Sequence, residues 1–392
     1  MIVYTLNGDE KVPLGVDIVE LRPDRTDVVA TDLPYLLTNQ EEHLGAAYID
    51  VPFPGTPKTA NRWISSFHGP HEGVEKTWAL VRAMANLNPD LIKVCFDELS
   101  LGQMIHLKPL FDTFSNLILF GRGESGQPTR LISYCWGAPW IYTSGDGYCG
   151  QIPLHELLEV YQIKRLSKQT KLYGVLKGEA APASIGYKIY NPYLAEKKID
   201  ALYMTLVVQE SEFAEVFLSP LFAGFSITMP YKEKAFQLAK NLDAEAEICR
   251  SINTYAGGIG YNTDIEILKE LDLVGKKIAI LGGGGVATAF AHFLAPNNEV
   301  TIFLRNLEKG KAFIVPVKLL QDRLDGFDWI IDTLPVQGVT KSVDFGVAVI
   351  DMKINSDPIY NSLKHFVSGK EVFLKQGKKQ LLIFLDNNTL IR

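Results

Sequence analysis

The sequence predicts an α/β protein built on parallel sheets, and three observations predict it. Short β-like runs alternate with helical stretches along most of the chain. In IAILGGGGVATA (278–289) a strand runs through four glycines into a helix. The chain has 392 residues, which at about 100–200 residues per domain makes two or three domains.

The N-terminal part, 1–166, carries the runs IVYTL, DIVELR, YLLT, AAYIDV, RWISSF, LIKVCF, NLILF, and LISYCW with WIYTS, all read as strands. Helical patterns fall at Val74–Asn86, near Met104–Phe114, and at Leu154–Ile163. This alternation suits a parallel sheet or a barrel, but the early connections are too short for full helices, since a crossover needs about ten or more residues. The polar stretch KRLSKQTK (164–171) reads as a linker. Beyond it a lobe spans 171–265, beginning with strand LYGVL and the loop GEAAPASIG. A second lobe, 266–375, holds strand KIAIL, the glycine turn, helix Ala287–Leu294, and strands VTIFL, WIIDTL and VAVIDM. The tail from Gln376 is helical and folds back to complete the first of these two lobes.

Composition narrows the function. With 47% hydrophobic and 21% charged residues, the chain can bury sizeable cores. A formal charge of -6 and the lack of a dense basic run argue against a nucleic-acid surface. Cys95, Cys135, Cys149 and Cys249 are scattered without a C-x-x-C pair, so neither a zinc site nor a disulfide scaffold is expected, and a cytoplasmic setting fits. No basic-then-apolar leader opens the sequence. Ile278–Ala295 lacks charged residues, yet its glycines make a buried strand–turn–helix the better reading than a membrane span.

Gly282, Gly284 and Ala287 stand in a G-x-G-x-x-A arrangement, with Gly285 between them. Such a turn lets backbone approach a pyrophosphate and aims helix amides at its charge, the signature of a Rossmann nucleotide-binding domain. The next strand ends in Arg305-Asn306, where an NAD site places a carboxylate. Arginine can pair with a 2′-phosphate, so NADP is the expected cofactor, with Lys309 a secondary phosphate contact. Reduction of a ketone also needs a proton donor, a task open to Lys232 held by Asp264.

The stretches FSITMPYKEKA, RSINTYAGGIGYNTD and LKQGKKQ resemble the shikimate dehydrogenase family in its motifs T-x-P-x-K, I-N-T and N-T-D. The resemblance implies that Lys232 and Asp264 are the catalytic pair, with Lys232 moving the proton on the C3 oxygen. It implies that Thr228, Asn253 and Gln376 hold substrate hydroxyls and that Ser184 binds the carboxylate. The family's second serine is Gly186 here, and a position often Tyr is Ile354.

DIVELRPD, SSFHG, LIKVCF, GQPTRLISYCWGAPWIYTS and CGQIP resemble, in that order, type I 3-dehydroquinate dehydratase. This implies a shortened (β/α)8-like barrel ahead of a two-lobed dehydrogenase with a Rossmann NADP-binding domain, as in fused shikimate-pathway enzymes. By that resemblance Lys93, lowered in pKa by burial, forms a Schiff base, and His68 moves the proton. Glu20 and Arg22 shape the site, Arg130 binds the carboxylate, and Gln151 a hydroxyl. The glutamate that partners the histidine falls at Pro52, with Asp50 on the same strand face as a substitute; a substrate serine falls at Gly147. A barrel short of helices would expose apolar strand faces.

The implied function is therefore dehydration of 3-dehydroquinate and NADPH-dependent reduction of 3-dehydroshikimate to shikimate. These small molecules are its partners, with no metal, nucleic acid or membrane. Two other readings stand beside it: a dehydrogenase with a non-catalytic barrel, and a ligand-sensing regulator without turnover.

Overall fold

The computed structural model describes all residues except 7–10, 23–32, 39–44, 59–61, 308–312, 321–322, 338–341, 344–345 and 390–392. The chain forms two compact units, Met1–Phe222 and Ala223–Arg392.

In the first unit, hydrophobic runs become the strands β1 (Ile2–Thr5), β2 (Ile18–Leu21), β3 (Tyr35–Thr38), β4 (Tyr48–Pro52), β5 (Trp63–Gly69), β6 (Leu91–Phe96), β7 (Leu117–Gly121), β8 (Ile141–Ser144) and β9 (Ile152–Pro153). They form one sheet in the order β7-β6-β5-β4-β3-β2-β1-β8-β9. Every pairing is parallel. The sheet curls. Lys93 on β6 reaches to 3.5 Å from Glu20 on β2, although four strand spacings in a flat sheet would separate them by about 19 Å. The first eight strands thus follow barrel order, with one cut, between β7 and β8.

Helices α1 (Val74–Ala85), α2 (Leu101–His106), α3 (Lys108–Thr113) and α4 (Gly123–Cys135) fill only the later connections among the described residues. The early strand faces are nonetheless covered: Ile2, Val19, Leu37 and Ile49 are at most 4% exposed. The expected exposure of apolar faces is therefore corrected, and Leu158 packing onto Gly15 is part of the cover.

Three elements depart from the sequence reading. LISYCW is not a strand but the second half of α4, because a chain leaving β7 must cross over to reach the parallel β8, and a helix makes that crossover. The 104–114 pattern divides into α2 and α3 at Leu107, with Pro109 opening the second helix. The 154–163 pattern forms only a π-helical turn, Glu156–Val160, and a single 3₁₀ turn, Ile163–Arg165.

α4 packs against both β7 and β8 and so spans the cut. Gly121 and Gly126 meet there, backbone against backbone. The Thr129 hydroxyl accepts the Gly121 N–H at 2.9 Å and donates to the Gly126 carbonyl at 2.5 Å. The linker is fastened too: Arg165 donates to the carbonyls of Ile199 (3.0 Å) and Ala201 (2.8 Å). Beyond it β10 (Lys171–Lys177) and β11 (Ala201–Val207) pair in parallel, with α5 (Gly186–Glu196) between them in sequence and α6 (Phe213–Leu218) after them.

The second unit opens with β12 (Gly224–Ile227), α7 (Lys232–Leu238), β13 (Asn241–Leu242), α8 (Ala244–Cys249), β14 (Thr254–Ala256), β15 (Ile259–Tyr261) and α9 (Glu266–Lys269). Its strands lie in the order β12-β14-β15-β13. Then come β16 (Lys277–Leu281), α10 (Gly285–Leu294), β17 (Glu299–Leu304), β18 (Val317–Leu319), β19 (Arg323–Leu324), β20 (Trp329–Asp332), β21 (Ser342–Val343), β22 (Ala348–Asp351), β23 (Phe366–Val367) and α11 (Gly369–Thr389). The parallel sheet β18-β17-β16-β20-β22-β23 reverses direction of growth at β16. That is the strand order of a doubly wound nucleotide-binding fold, whose ligand crosses the carboxyl ends at the reversal. β19 and β21 pair separately. The uncharged 278–295 run is β16, the glycine turn and α10, as the sequence predicts.

Candidate active sites

In the second unit, Lys232 is the first residue of α7 and Asp264 follows β15. The Lys232 Nζ lies 2.5 Å from Asp264 Oδ2. Asp264 Oδ1 accepts from Asn253 Nδ2 at 2.9 Å, and its backbone N–H donates to Asn262 Oδ1 at 3.1 Å. The Asn253 Oδ1 accepts the Thr263 N–H at 2.9 Å. This rigid mesh aims one carboxylate oxygen at the ammonium. Gln380 on α11 extends it, donating to the Asn253 carbonyl at 3.1 Å and accepting from Ser226 at 3.0 Å. Sequence reasoning missed Gln380 and Ser226; the position one turn after Gln376, on a helix that folds back, is the signal that points to Gln380. Thr228 and Gln376 are half-buried, and Gln376 Oε1 has no hydrogen-bond partner.

The glycine turn lies beside this pair. A Cβ added to Gly285 would sit 3.9 Å from Lys232 Cβ and Cδ. Gly282 has φ +109°, and a Cβ there would meet Thr333 Oγ1 at 2.6 Å, so only glycine fits. Gly284 precedes α10 in extended backbone, with open space where a Cβ would stand, while Ala287 is buried in the core. A free cradle of amides at the N-terminus of α10 fits a dinucleotide's pyrophosphate. Arg305, just past β17, is exposed and pairs with no carboxylate among the described residues, and Asn306 beside it is exposed. Lys309 lies outside the described residues.

In the first unit, a cavity of about 460 Å³ opens at the carboxyl ends of the curled sheet, lined by residues from β1 to β8. Glu20, His68 and Lys93 reach it from strands β2, β5 and β6, Arg130 from α4 and Gln151 from the turn before β9, with Arg22 also in its wall. Lys93 Nζ donates to Asp50 Oδ2 at 2.8 Å. Glu20 accepts from Thr5 (2.5 Å) and Thr38 (3.1 Å). Burial pulls the Lys93 amine down, but Asp50, then Tyr142 and Glu20, outweigh it and hold it well above its ordinary value. The expectation of a depressed lysine is corrected: burial here comes with two carboxylates. Asp50 serves Lys93, and its other oxygen has no partner.

The His68 ring reaches solvent at the cavity's mouth. The protein packed around it, then the Lys93 ammonium, push its pKa down to about 4. It is therefore a neutral base at pH 7. Arg130 on α4 is 4% exposed, lies 4.1 Å over the Phe120 ring, and donates to the Cys149 carbonyl at 3.3 Å. No carboxylate pairs with it among the described residues, and its Nε has no partner. A buried guanidinium without a counter-ion suits an anionic ligand. Gln151 donates to Thr5 at 3.1 Å, leaving its carbonyl oxygen unpartnered. Ser184, which belongs to the first unit, accepts the Gly186 N–H at 3.3 Å at the start of α5.

Residues 45–168 match the family model for type I 3-dehydroquinase, and residues 176–255 that for the shikimate dehydrogenase substrate binding domain. A shikimate dehydrogenase (NADP(+)) of Methanococcus maripaludis is 30% identical over 55% of this chain and 85% of its own length. The chain belongs to the shikimate dehydrogenase family. A shikimate biosynthesis protein AroDE of Chlamydia pneumoniae is 32% identical over 67% of this family member and 61% of its own length, so the chain spans under two thirds of that relative. The bifunctional 3-dehydroquinate dehydratase/shikimate dehydrogenase of Arabidopsis thaliana is 24% identical over 98% of this chain and 79% of its own.

Proposed function

We propose that this chain reduces 3-dehydroshikimate to shikimate with NADPH. The observation that carries this reading is the Lys232–Asp264 ion pair set against Gly285 of the nucleotide-type turn. NADPH, when bound, supplies the hydride. Lys232 gives a proton to the C3 oxygen as it gains charge, and Asp264 keeps the donor aimed. By the family motifs, Asn253, Thr228 and Gln376 would take substrate hydroxyls, and Ser184 matches the family position for the carboxylate. Gly282, Gly284 and Gly285 hold the pyrophosphate, and Arg305 the 2′-phosphate. The relative named above as an NADP(+) enzyme supports that choice of cofactor. NADP⁺ reduction dependent on shikimate, followed by absorbance, tests it; no turnover with either NADP⁺ or NAD⁺ refutes it.

A second activity, dehydration of 3-dehydroquinate, is favoured by the cavity that gathers a buried lysine, a neutral histidine and an unpaired arginine. Arg130 would hold the substrate carboxylate. Lys93 gives up one proton to solvent at the cavity's mouth and its free amine adds to the ketone. The resulting hydroxyl leaves as water with a proton from solvent, forming an iminium. His68 then removes a proton from the carbon beside the iminium and returns it to the departing hydroxyl, which leaves as a second water. Hydrolysis frees Lys93 and 3-dehydroshikimate. Incubation of dehydroquinate with NADPH tests both steps at once: oxidation of NADPH is expected. Oxidation from 3-dehydroshikimate but not from dehydroquinate would leave a dehydrogenase with a non-catalytic barrel.

A further inference from the structure

Among the groups of the cavity that neither reading uses is a tyrosine. Tyr142, on β8, is 2% exposed and turns the face of its ring to the Lys93 nitrogen, 4.6 Å from the centroid. Its hydroxyl has no hydrogen-bond partner. The ring, then, is the part of this side chain that meets the reacting atom. We propose that Tyr142 is a catalytic residue of the dehydration, its ring face holding the positive charge on the Lys93 nitrogen once that nitrogen has become an iminium. This inference rests on the dehydratase reading.

The chemistry explains why two carboxylates are not enough. As an ammonium, Lys93 has three N–H donors and meets Asp50 at 2.8 Å and Glu20 at 3.5 Å. As an iminium it keeps a single N–H, so it can hydrogen-bond only one of them. The charge also spreads onto the adjoining carbon, away from both. A π face needs no N–H and lies flat against a planar cation. The charge matters because only the protonated imine makes the neighbouring carbon acidic enough for His68 to deprotonate. Asp50 and Glu20 favour the charge on this nitrogen, and His68, Cys95, Arg122 and Arg130 line the same cavity. The ring adds to that support without adding a base that could take the proton.

The test replaces Tyr142 with phenylalanine and then with progressively fluorinated phenylalanines, which weaken the ring's negative face at nearly constant size. Dehydration rate against pH is measured for each, and borohydride trapping with dehydroquinate identifies the Lys93 adduct by mass. The alkaline limb, set by loss of the imine proton, is expected to move to lower pH by about one unit across the series. An adduct on Lys93 with a limb that stays put overturns the role of the ring and leaves the dehydratase reading standing. No adduct in the unsubstituted protein overturns both.

Discussion

At the scale of single residues, the two sites handle a lysine in the same way: each is an ammonium steadied by a carboxylate that is itself fixed. Lys232 has one such partner at 2.5 Å. Lys232→Ala should lower shikimate oxidation at least about 100-fold and change NADP⁺ affinity less than about threefold by fluorescence titration; intact turnover would remove it from the proposed mechanism. Arg305→Asp should turn preference toward NAD⁺, since a carboxylate there repels a 2′-phosphate and can accept ribose hydroxyls. The ratio of kcat/KM for the two cofactors measures this. His68 adds a pH effect. Its folded value, about 4, lies below the roughly 6.5 of an unfolded chain, so the unfolded state binds more protons between these limits. The stability it lends is whole above about pH 6.5 and is lost as pH falls toward 4. Denaturant midpoints for His68→Asn should therefore change less with pH across that window than those of the unsubstituted protein.

At the scale of elements, the strands were mostly legible and the helices around the barrel were not. Runs such as LIKVCF are buried along their whole length, and continuous apolar sequence betrays that directly. LISYCW has the same composition, but it is a crossover helix with both faces partly buried, and composition alone cannot separate the two. The glycine turn was legible because its geometry admits no other residue at Gly282. Asn253, Lys232 and Asp264 were legible only through their motifs, since they come from three separate segments that the fold brings together. Gln380 and Tyr142 lie inside quoted stretches, LKQGKKQ and GQPTRLISYCWGAPWIYTS, but nothing there singles them out. Thr129 is another such residue: its hydroxyl satisfies the edge amide of Gly121. Thr129→Val keeps the shape and removes that acceptor, and it should cost about 1–3 kcal/mol, read as a lower midpoint in chemical denaturation.

At the scale of the whole molecule, one chain carries two candidate sites, with Lys93 in the first compact unit and Lys232 in the second. Their chemistries draw on different residues throughout. Reduction of the Lys93 imine by borohydride should therefore abolish dehydration while shikimate oxidation continues at its former rate; parallel loss of both would mean that the sites are coupled.

The cut between β7 and β8 has one further consequence. A closed hoop of strands holds itself together, whereas an open one must be held across its gap by a clasp from outside the strands. Here the clasp is α4, and it carries Arg130. The side chain positioned to greet an incoming acid therefore sits on the clasp itself and not on a strand.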